Sequence, residues 1–129
     1  MVIMDTSKLA NKMHKELNWQ QRRFEMIKKY ISDNLSSDLK ASVVSHKFDM
    51  STSTLHHQFQ KYLLSSYQQY VEQMRMEKAM EITRSGKRIR IILAATGYKN
   101  RTTFYDAFKR TFKDTPGAFR YAYESNCPE

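Results

Sequence analysis

The sequence has little cysteine, few residues that break helices and no long apolar run. Its 129 residues include one cysteine, three glycines and two prolines. The single cysteine, Cys127, excludes a disulfide within the chain and indicates a cytoplasmic protein. So few glycines and prolines favour short helices joined by tight turns over a sandwich or barrel of hairpins. The sequence has no run of about 18 apolar residues, which a membrane span would need. Residues 1–17 also lack the apolar stretch of a signal peptide.

Positive charge is present in excess, with a formal net charge of +9. Residues 1–38 carry seven Lys/Arg against five Asp/Glu, whereas residues 39–129 carry fifteen against eight. This balance points to a polyanionic partner, either nucleic acid or an acidic membrane surface, that binds the later part of the chain. The sequence shows no nucleophile–base pair, Gly-rich phosphate loop or metal-ligand spacing. We therefore expect no enzyme activity, metal or cofactor.

Apolar spacing in the first half predicts four helices after a polar lead-in. Phe24, Ile27 and Ile31 recur at helical spacing in a helix that begins near residue 20 and ends near residue 34. A short helix at about 39–47 follows, and we expect Val43 and Val44 to face inward. Ser51 then caps a helix that buries one face, made of Leu55, Phe59 and Tyr62. A long helix at about 66–83 has five positions that we expect to be buried: Tyr67, Tyr70, Val71, Met74 and Ile82.

The second half repeats this pattern after Ser85-Gly86, which stops the long helix. Ile89, Ile92, Leu93 and Thr96 stand at the spacing of a short amphipathic helix. Gly97 then begins a turn where a left-handed backbone is needed. A helix is predicted from Thr102 to about Thr111. Three aromatic residues spaced four apart form its core stripe: Phe104, Phe108 and Phe112. Pro116 starts a final helix, which carries Phe119 and Tyr123.

These residues resemble the AraC/XylS family of transcription regulators. The series Ile92–Tyr98, Phe104, Phe108–Arg110, Phe112, Thr115-Pro116 and Phe119-Arg120 is similar to the family's C-terminal signature. Upstream, Leu55, Phe59, Tyr70, Arg75–Ala79 and Ile82 match its first unit and linker helix at the same spacing. The resemblance covers residues 20–120 without an insertion. It implies two helix-turn-helix units, with Arg75 in a structural role that ties the linker helix to a unit.

Four positions depart from the family pattern. The family usually has glycine where this chain has Leu64 and Lys113. It usually has proline or a small residue in place of Tyr67, and alanine in place of Leu93. Leu64 and Lys113 each follow a helix that would read DNA, so we expect both turns to close differently here. About 20 residues precede the matching region, where family members usually carry another domain. The chain therefore resembles either the small stand-alone members or an excised DNA-binding region.

The helix faces opposite the core carry the candidate DNA contacts, because groove-facing side chains specify bases and phosphate contacts set position. The predicted base contacts are Ser53, His56, His57, Arg101, Thr102 and Tyr105. Ser53, His56 and Gln60 are expected to share one face, with His57 flanking it. The predicted backbone or flanking contacts are Thr52, Gln60, Lys61, Lys87, Arg88, Arg90, Asn100, Asp106 and Lys109. Lys87, Arg88 and Arg90 are also compatible with a merely solvated face.

We predict an all-α protein of about seven helices. Its parts are a polar lead-in (1–19), a first helix-turn-helix subdomain (20–65), a linker helix (66–85), a second helix-turn-helix subdomain (86–123) and a tail (124–129). The predicted partner is double-stranded DNA, bound by a monomer, with no membrane. The resemblance implies transcriptional activation by contact with RNA polymerase. The alternative is a basic helical module that binds an acidic protein partner or a membrane surface.

Overall fold

The structure, a computed structural model, describes residues 19–120, and every regular element in this range is an α-helix. The helices are α1 (19–33), α2 (Ala41–Lys47), α3 (Thr52–Leu63), α4 (Tyr67–Arg84), α5 (Ile89–Thr96), α6 (Arg101–Phe112) and α7 (116–120). This confirms the all-α fold with two helix-turn-helix pairs, α2–α3 and α5–α6, joined by a long helix. Residues 1–18 of the predicted lead-in, together with Tyr123, Cys127 and the tail, lie outside the described residues.

The chain divides within α1 into two compact units, the first ending at residue 30 and the second beginning at residue 31. In the first unit, α1 buries Phe24 and Ile27, as their spacing predicts. Arg23 lies over the Trp19 ring, with its guanidinium carbon 4.8 Å from the ring centre. The second unit begins at Ile31 and contains both helix-turn-helix pairs. Helix α4 occupies the place predicted for the linker, while the proposed subdomain boundaries stay predictions.

The helix starts agree with the capping residues in the sequence. The Ser51 hydroxyl accepts a hydrogen bond from the Thr54 backbone N–H at 3.1 Å, which satisfies a donor in the first turn of α3. Ser66 and Gln69 form a reciprocal capping box at the start of α4. The Thr115 hydroxyl accepts from the Ala118 N–H at 3.2 Å and begins α7. These bonds are local, so the sequence alone could predict where the helices begin.

The same succession of caps occurs twice. Ser51 and Asn100 cap α3 and α6, and Leu64 and Lys113 end them in the left-handed conformation. Ser66 and Thr115 then cap the next helices, and the members of all three pairs are the same number of residues apart. The two helix-turn-helix units are thus structural repeats. Our expectation that the turns after α3 and α6 close differently is wrong for the backbone, because both keep the left-handed end that glycine usually provides.

The turns within the two pairs differ. Gly97 has φ 80° directly after α5, which confirms the left-handed backbone predicted there. In the first pair the residue after α2, Phe48, has φ −101°, and the left-handed position moves one residue on to Asp49, with φ 53°. Aspartate tolerates this conformation better than most residues. The first turn therefore closes without glycine.

Helix α4 buries nearly opposite faces at its two ends. Near its start Tyr67 and Val71 are buried, and the Tyr67 ring packs edge-on against Phe59, with ring centres 5.3 Å apart. Further along, Met76, Ala79 and Met80 join a separate core. At about 100° per residue these two sets lie on roughly opposite sides of the helix. One helix therefore contributes to the core of each repeat.

The core of the second repeat consists of residues from α4, α5 and α6. Its buried members are Met76, Ala79, Met80, Ile92, Phe104, Ala107 and Phe108. The predicted aromatic stripe is confirmed: Phe104 and Phe108 are buried, and Phe112 is partly buried against them. Phe119 of α7 packs edge-on against Phe108, with ring centres 5.8 Å apart. The final helix thus closes this core.

Two of our burial predictions need correction. Val43 is 40% exposed, and the buried residues of α2 are Val44 and Ser45. In α4, Tyr67 and Val71 are buried as predicted, whereas Tyr70, Met74 and Ile82 are only partly so. Our prediction missed four buried positions there: Met76, Ala79, Met80 and Thr83. A single amphipathic stripe is the wrong template for a helix that packs on two sides.

Arg75 of α4 joins both repeats. Its Nε donates to the Leu35 carbonyl at 3.3 Å and its Nη2 donates to the Ser37 carbonyl at 3.2 Å. The guanidinium carbon also lies 5.8 Å from the centre of the Tyr98 ring, in the turn between α5 and α6. A Cβ added to Gly97 would lie 2.5 Å from the Leu35 oxygen, so the two backbone segments are in direct contact. This is the structural role expected for Arg75.

A second link joins α4 to α6 on the surface. The Arg110 guanidinium pairs with the Glu72 carboxylate at 2.6 Å. This hydrogen bond and the charge of Glu72 raise the pKa of Arg110. Exposed ion pairs contribute little to stability, typically about 0–1 kcal/mol. We therefore attribute the placement of the second repeat mainly to the Arg75 and Gly97 contacts.

The close approach at Gly97 predicts a large cost for its replacement by alanine. Gly97→Ala would place a methyl group against the Leu35 oxygen in a left-handed backbone, and we expect unfolding free energy to fall by about 2–4 kcal/mol. Gly86→Ala is a matched control, because Gly86 has φ 81° and nothing within 4 Å of an added Cβ. Its cost should be about 1 kcal/mol. Equal losses in urea titrations of the two variants would contradict the contact.

Tyr67 predicts a smaller, specific loss. Its buried hydroxyl donates to the Leu39 carbonyl at 2.6 Å, before α2 begins. Tyr67→Phe keeps the ring but leaves that carbonyl without this donor, and we expect a loss of about 1–2 kcal/mol. Tyr105→Phe, on the exposed side of α6, should change stability by less than about 0.5 kcal/mol. Thermal unfolding of both variants tests this, and equal midpoints would refute the role of the hydroxyl.

Candidate nucleic-acid interface

An exposed stripe runs along α3 on the side opposite its core residues. Leu55, Gln58 and Phe59 are buried. Ser53, His57 and Gln60 are exposed and stand at i, i+4 and i+7, which places them on one side of the helix. We call these three residues the first stripe. Ser53 and His57 are predicted base contacts, and Gln60 was placed among the flanking ones.

The two neighbouring histidines exchange the places that the sequence predicts for them. His56 is partly buried, and its ring lies edge-on to the buried Tyr67 ring, with centres 6.2 Å apart. His57 is exposed and continues the line from Ser53 to Gln60. The rotation of α3 on its core therefore places His57 at the centre of the exposed face and His56 at its edge.

The matching stripe on α6 consists of Thr102, Asp106 and Lys109. All three are exposed and have the same i, i+4, i+7 spacing, opposite the buried Phe104 and Phe108. We call them the second stripe. Thr102 is a predicted base contact, whereas Asp106 and Lys109 are predicted flanking contacts. Their spacing puts them on one side of the helix, and the burial pattern shows that this side is exposed.

Arg101 and Tyr105 flank the second stripe. Arg101 is exposed and is the first residue of α6, where its side chain is available beside the helix start. Tyr105 is 38% exposed, and its ring contacts the buried Phe104 ring, with centres 5.7 Å apart. Both predicted base contacts thus lie at the surface on one side of the stripe.

The remaining predicted contacts are polar or basic and exposed. They are Thr52 and Lys61 on α3, Lys87, Arg88 and Arg90 around the start of α5, and Asn100 before α6. The Asn100 side chain accepts a hydrogen bond from the Thr103 N–H at 2.8 Å, so its oxygen already caps the helix. Arg120 of α7 donates to the Lys87 carbonyl, which ties the segment before α5 to the last described helix.

The helix N-termini add favourable charge. The first turns of α3 and α6 contain no acidic residue, so the positive end of each helix dipole is not neutralised by its own side chains. Free N–H groups at such an end attract phosphate oxygens. Each exposed stripe therefore begins at a helix end suited to an anionic ligand.

A cavity of about 760 Å³ lies beside Arg75 and is lined by Glu72, Gly97 and Tyr98 among others. Burial and the nearby Glu72 carboxylate raise the pKa of the Tyr98 hydroxyl, which therefore stays protonated at neutral pH. Between residues 19 and 120, no cluster of three or more His, Cys, Asp or Glu could hold a metal ion. Over the same range, no helix is long and apolar enough to cross a membrane.

Comparison with known proteins identifies the fold and the family. A family model described as a helix-turn-helix domain matches residues 44–122. The Msm operon regulatory protein of Streptococcus mutans is 29% identical over 101 residues, which cover 78% of this chain and 36% of that protein. The chain therefore spans little more than a third of this relative's length.

Solved structures show the same architecture. The C-terminal domain of AraT, a response regulator from Geobacillus stearothermophilus, is 26% identical with a TM-score of 0.74, covering 78% of this chain and 84% of that one. The DNA-binding domain of AdpA, a global transcriptional factor solved with a target DNA, has a TM-score of 0.76 at 17% identity. The match covers 81% of this chain and 96% of that one. The second likeness shows a shared fold. The family model, which matches more than half of the chain, shows that the chain belongs to the AraC/XylS family of helix-turn-helix regulators.

Proposed function

We propose that the protein is a sequence-specific DNA-binding regulator of transcription that inserts α3 and α6 into successive segments of the major groove. The observation that carries this proposal is the repeated exposed stripe, on two helices whose other faces are held in hydrophobic cores. A recognition helix needs one anchored face and one polar face that fits the groove. The relative from Streptococcus mutans, an operon regulatory protein, supports a role in transcription.

The contacts around Arg75 favour binding by a single molecule. They join the two repeats within one chain, so the spacing of α3 and α6 is set by the fold. Two such helices read one face of the duplex when they lie about one DNA turn apart, roughly 34 Å. A shorter separation would require the DNA to bend, at a cost of a few kcal/mol. The site should therefore be asymmetric, because the stripes Ser53, His57, Gln60 and Thr102, Asp106, Lys109 differ.

Family membership supports activation of transcription through contact with RNA polymerase. A regulator that binds DNA would also be located in the cytoplasm. In vitro transcription from a promoter that carries the selected site tests this step. We expect more transcript when the protein is added to purified polymerase. Less transcript would make the protein a repressor and leave the DNA-binding proposal intact.

The first prediction concerns sequence preference. Selection from randomised duplexes, carried out at two salt concentrations, should enrich an asymmetric site that spans about two turns. Enrichment should persist at the higher salt, because base contacts discriminate while phosphate contacts weaken with salt. Binding without enrichment would contradict the proposal and favour the alternative, a basic module for an acidic protein or membrane surface.

The second prediction separates base contacts from phosphate contacts on α6. An arginine can bind guanine O6 and N7 with two hydrogen bonds, which discriminate by about 1–3 kcal/mol. Arg101→Ala should therefore relax the preference at one base position of the selected site. Lys109→Ala should weaken binding to all sequences alike and reduce the salt dependence. Uniform weakening by both substitutions would show that Arg101 is not a base contact.

A further inference from the structure

Two bulky residues occupy left-handed backbone positions at matching places in the repeats. Leu64 ends α3 with φ 54° and ψ 33°, and Lys113 ends α6 with φ 67° and ψ 11°. For residues with a Cβ this conformation is strained, and glycine would avoid the strain. A leucine there is a genuine outlier. Such outliers concentrate at functional positions, where another interaction compensates for them.

The fold itself provides little compensation. The Leu64 side chain is 83% exposed, so it contributes almost nothing to a core. Lys113 is exposed as well, and its Nζ donates to the Arg110 carbonyl at 3.0 Å on the surface. Neither side chain therefore explains, through packing, why the position is not glycine.

Both residues directly follow the helices that carry the exposed stripes. The Leu64 backbone N–H donates to the Gln60 carbonyl at 3.0 Å, and the Lys113 N–H donates to the Lys109 carbonyl at 2.8 Å. Each thus lies one turn beyond the last residue of its stripe. A ligand that covers the full length of a stripe therefore comes within about one helical turn of each residue.

Building on the proposed function, we propose that Leu64 and Lys113 are additional DNA contacts that extend the two stripes. The Lys113 ammonium binds a backbone phosphate at the rim of the groove. Leu64 lies against the 5-methyl group of a thymine, the apolar group that the major groove presents. Leu64 is then a specificity-determining residue, whereas Lys113 contributes to affinity with any sequence.

Glycine substitutions test this, because they should move stability and DNA binding in opposite directions. In the full chain, Leu64→Gly and Lys113→Gly relieve the strained backbone, and each should raise the unfolding midpoint by about 2–5 °C. On the selected duplex, Leu64→Gly should bind about 3–10-fold more weakly with an unchanged salt slope. Lys113→Gly should reduce the slope of log affinity against log salt by about 0.9.

Uracil scanning tests the thymine contact directly. Each thymine of the selected duplex is replaced in turn by uracil, which lacks the methyl group. One replacement should weaken the unmodified protein by about 3–10-fold but leave Leu64→Gly unaffected. If every replacement has the same effect on both proteins, Leu64 does not contact a thymine methyl.

Matched lysine variants control for charge and strain. Lys113→Gln keeps a side chain on the strained backbone but removes the charge, so it should reduce the salt slope without raising the midpoint. Lys78→Gln removes a lysine of the linker helix that pairs with Glu81, and it should leave the slope unchanged. Equal slopes for Lys113→Gln and the unmodified protein would overturn the phosphate contact.

The outcomes separate this inference from the function on which it rests. If both glycine variants are more stable and bind the duplex as tightly as the unmodified protein, the inference is wrong and DNA binding stands. If the unmodified protein enriches no sequence, the proposed function itself fails. A Leu64→Gly variant that changes only self-association, measured by sedimentation, would assign Leu64 to a protein contact and overturn its role on DNA.

Discussion

The close approach of Gly97 to the Leu35 carbonyl is the contact on which the arrangement of the two repeats depends. It leaves no room for a side chain between the turn of the second repeat and the segment that precedes the first. Arg75 reinforces it with hydrogen bonds to the Leu35 and Ser37 carbonyls. The bond to Leu35 is partly buried, and a carbonyl buried without a donor costs about 1–3 kcal/mol. Arg75 therefore supplies hydrogen-bond donors to both carbonyls and holds the two segments in place.

Helix α4 extends this constraint along the molecule. It buries Tyr67 and Val71 with the first repeat, and Met76, Ala79 and Met80 on its nearly opposite side with the second. A helix that packs on two sides cannot rotate to suit one core without disturbing the other. The direction of each exposed stripe is thus linked to the packing of a single helix, which makes the spacing of α3 and α6 a property of the fold.

The two repeats have the same backbone conformation at the ends of α3 and α6 but different residues there. Serine caps α3 and asparagine caps α6, while Leu64 and Lys113 take the left-handed ends. In the turn within the first pair, the left-handed residue is Asp49, the second residue after α2. In the turn within the second pair it is Gly97, the first residue after α5. The second turn lies against another backbone segment at Gly97, so the residue there must lack a Cβ. Leu64 and Lys113 keep exposed side chains in the left-handed conformation, so packing does not offset their local strain.

Local chemistry determined much of this protein from its sequence alone. The cap at Ser51, the glycine turn at Gly97 and the Phe104–Phe108 stripe depend on neighbouring residues, and all are present as predicted. Tertiary packing decided the rest. It exposes Val43 and buries Ser45, places His57 instead of His56 at the centre of the exposed face of α3, and leaves exposed the side of α6 that carries Thr102, Asp106 and Lys109. The reason is rotational: a periodic sequence defines a helix, but neighbouring elements decide which residues on its borders face inward.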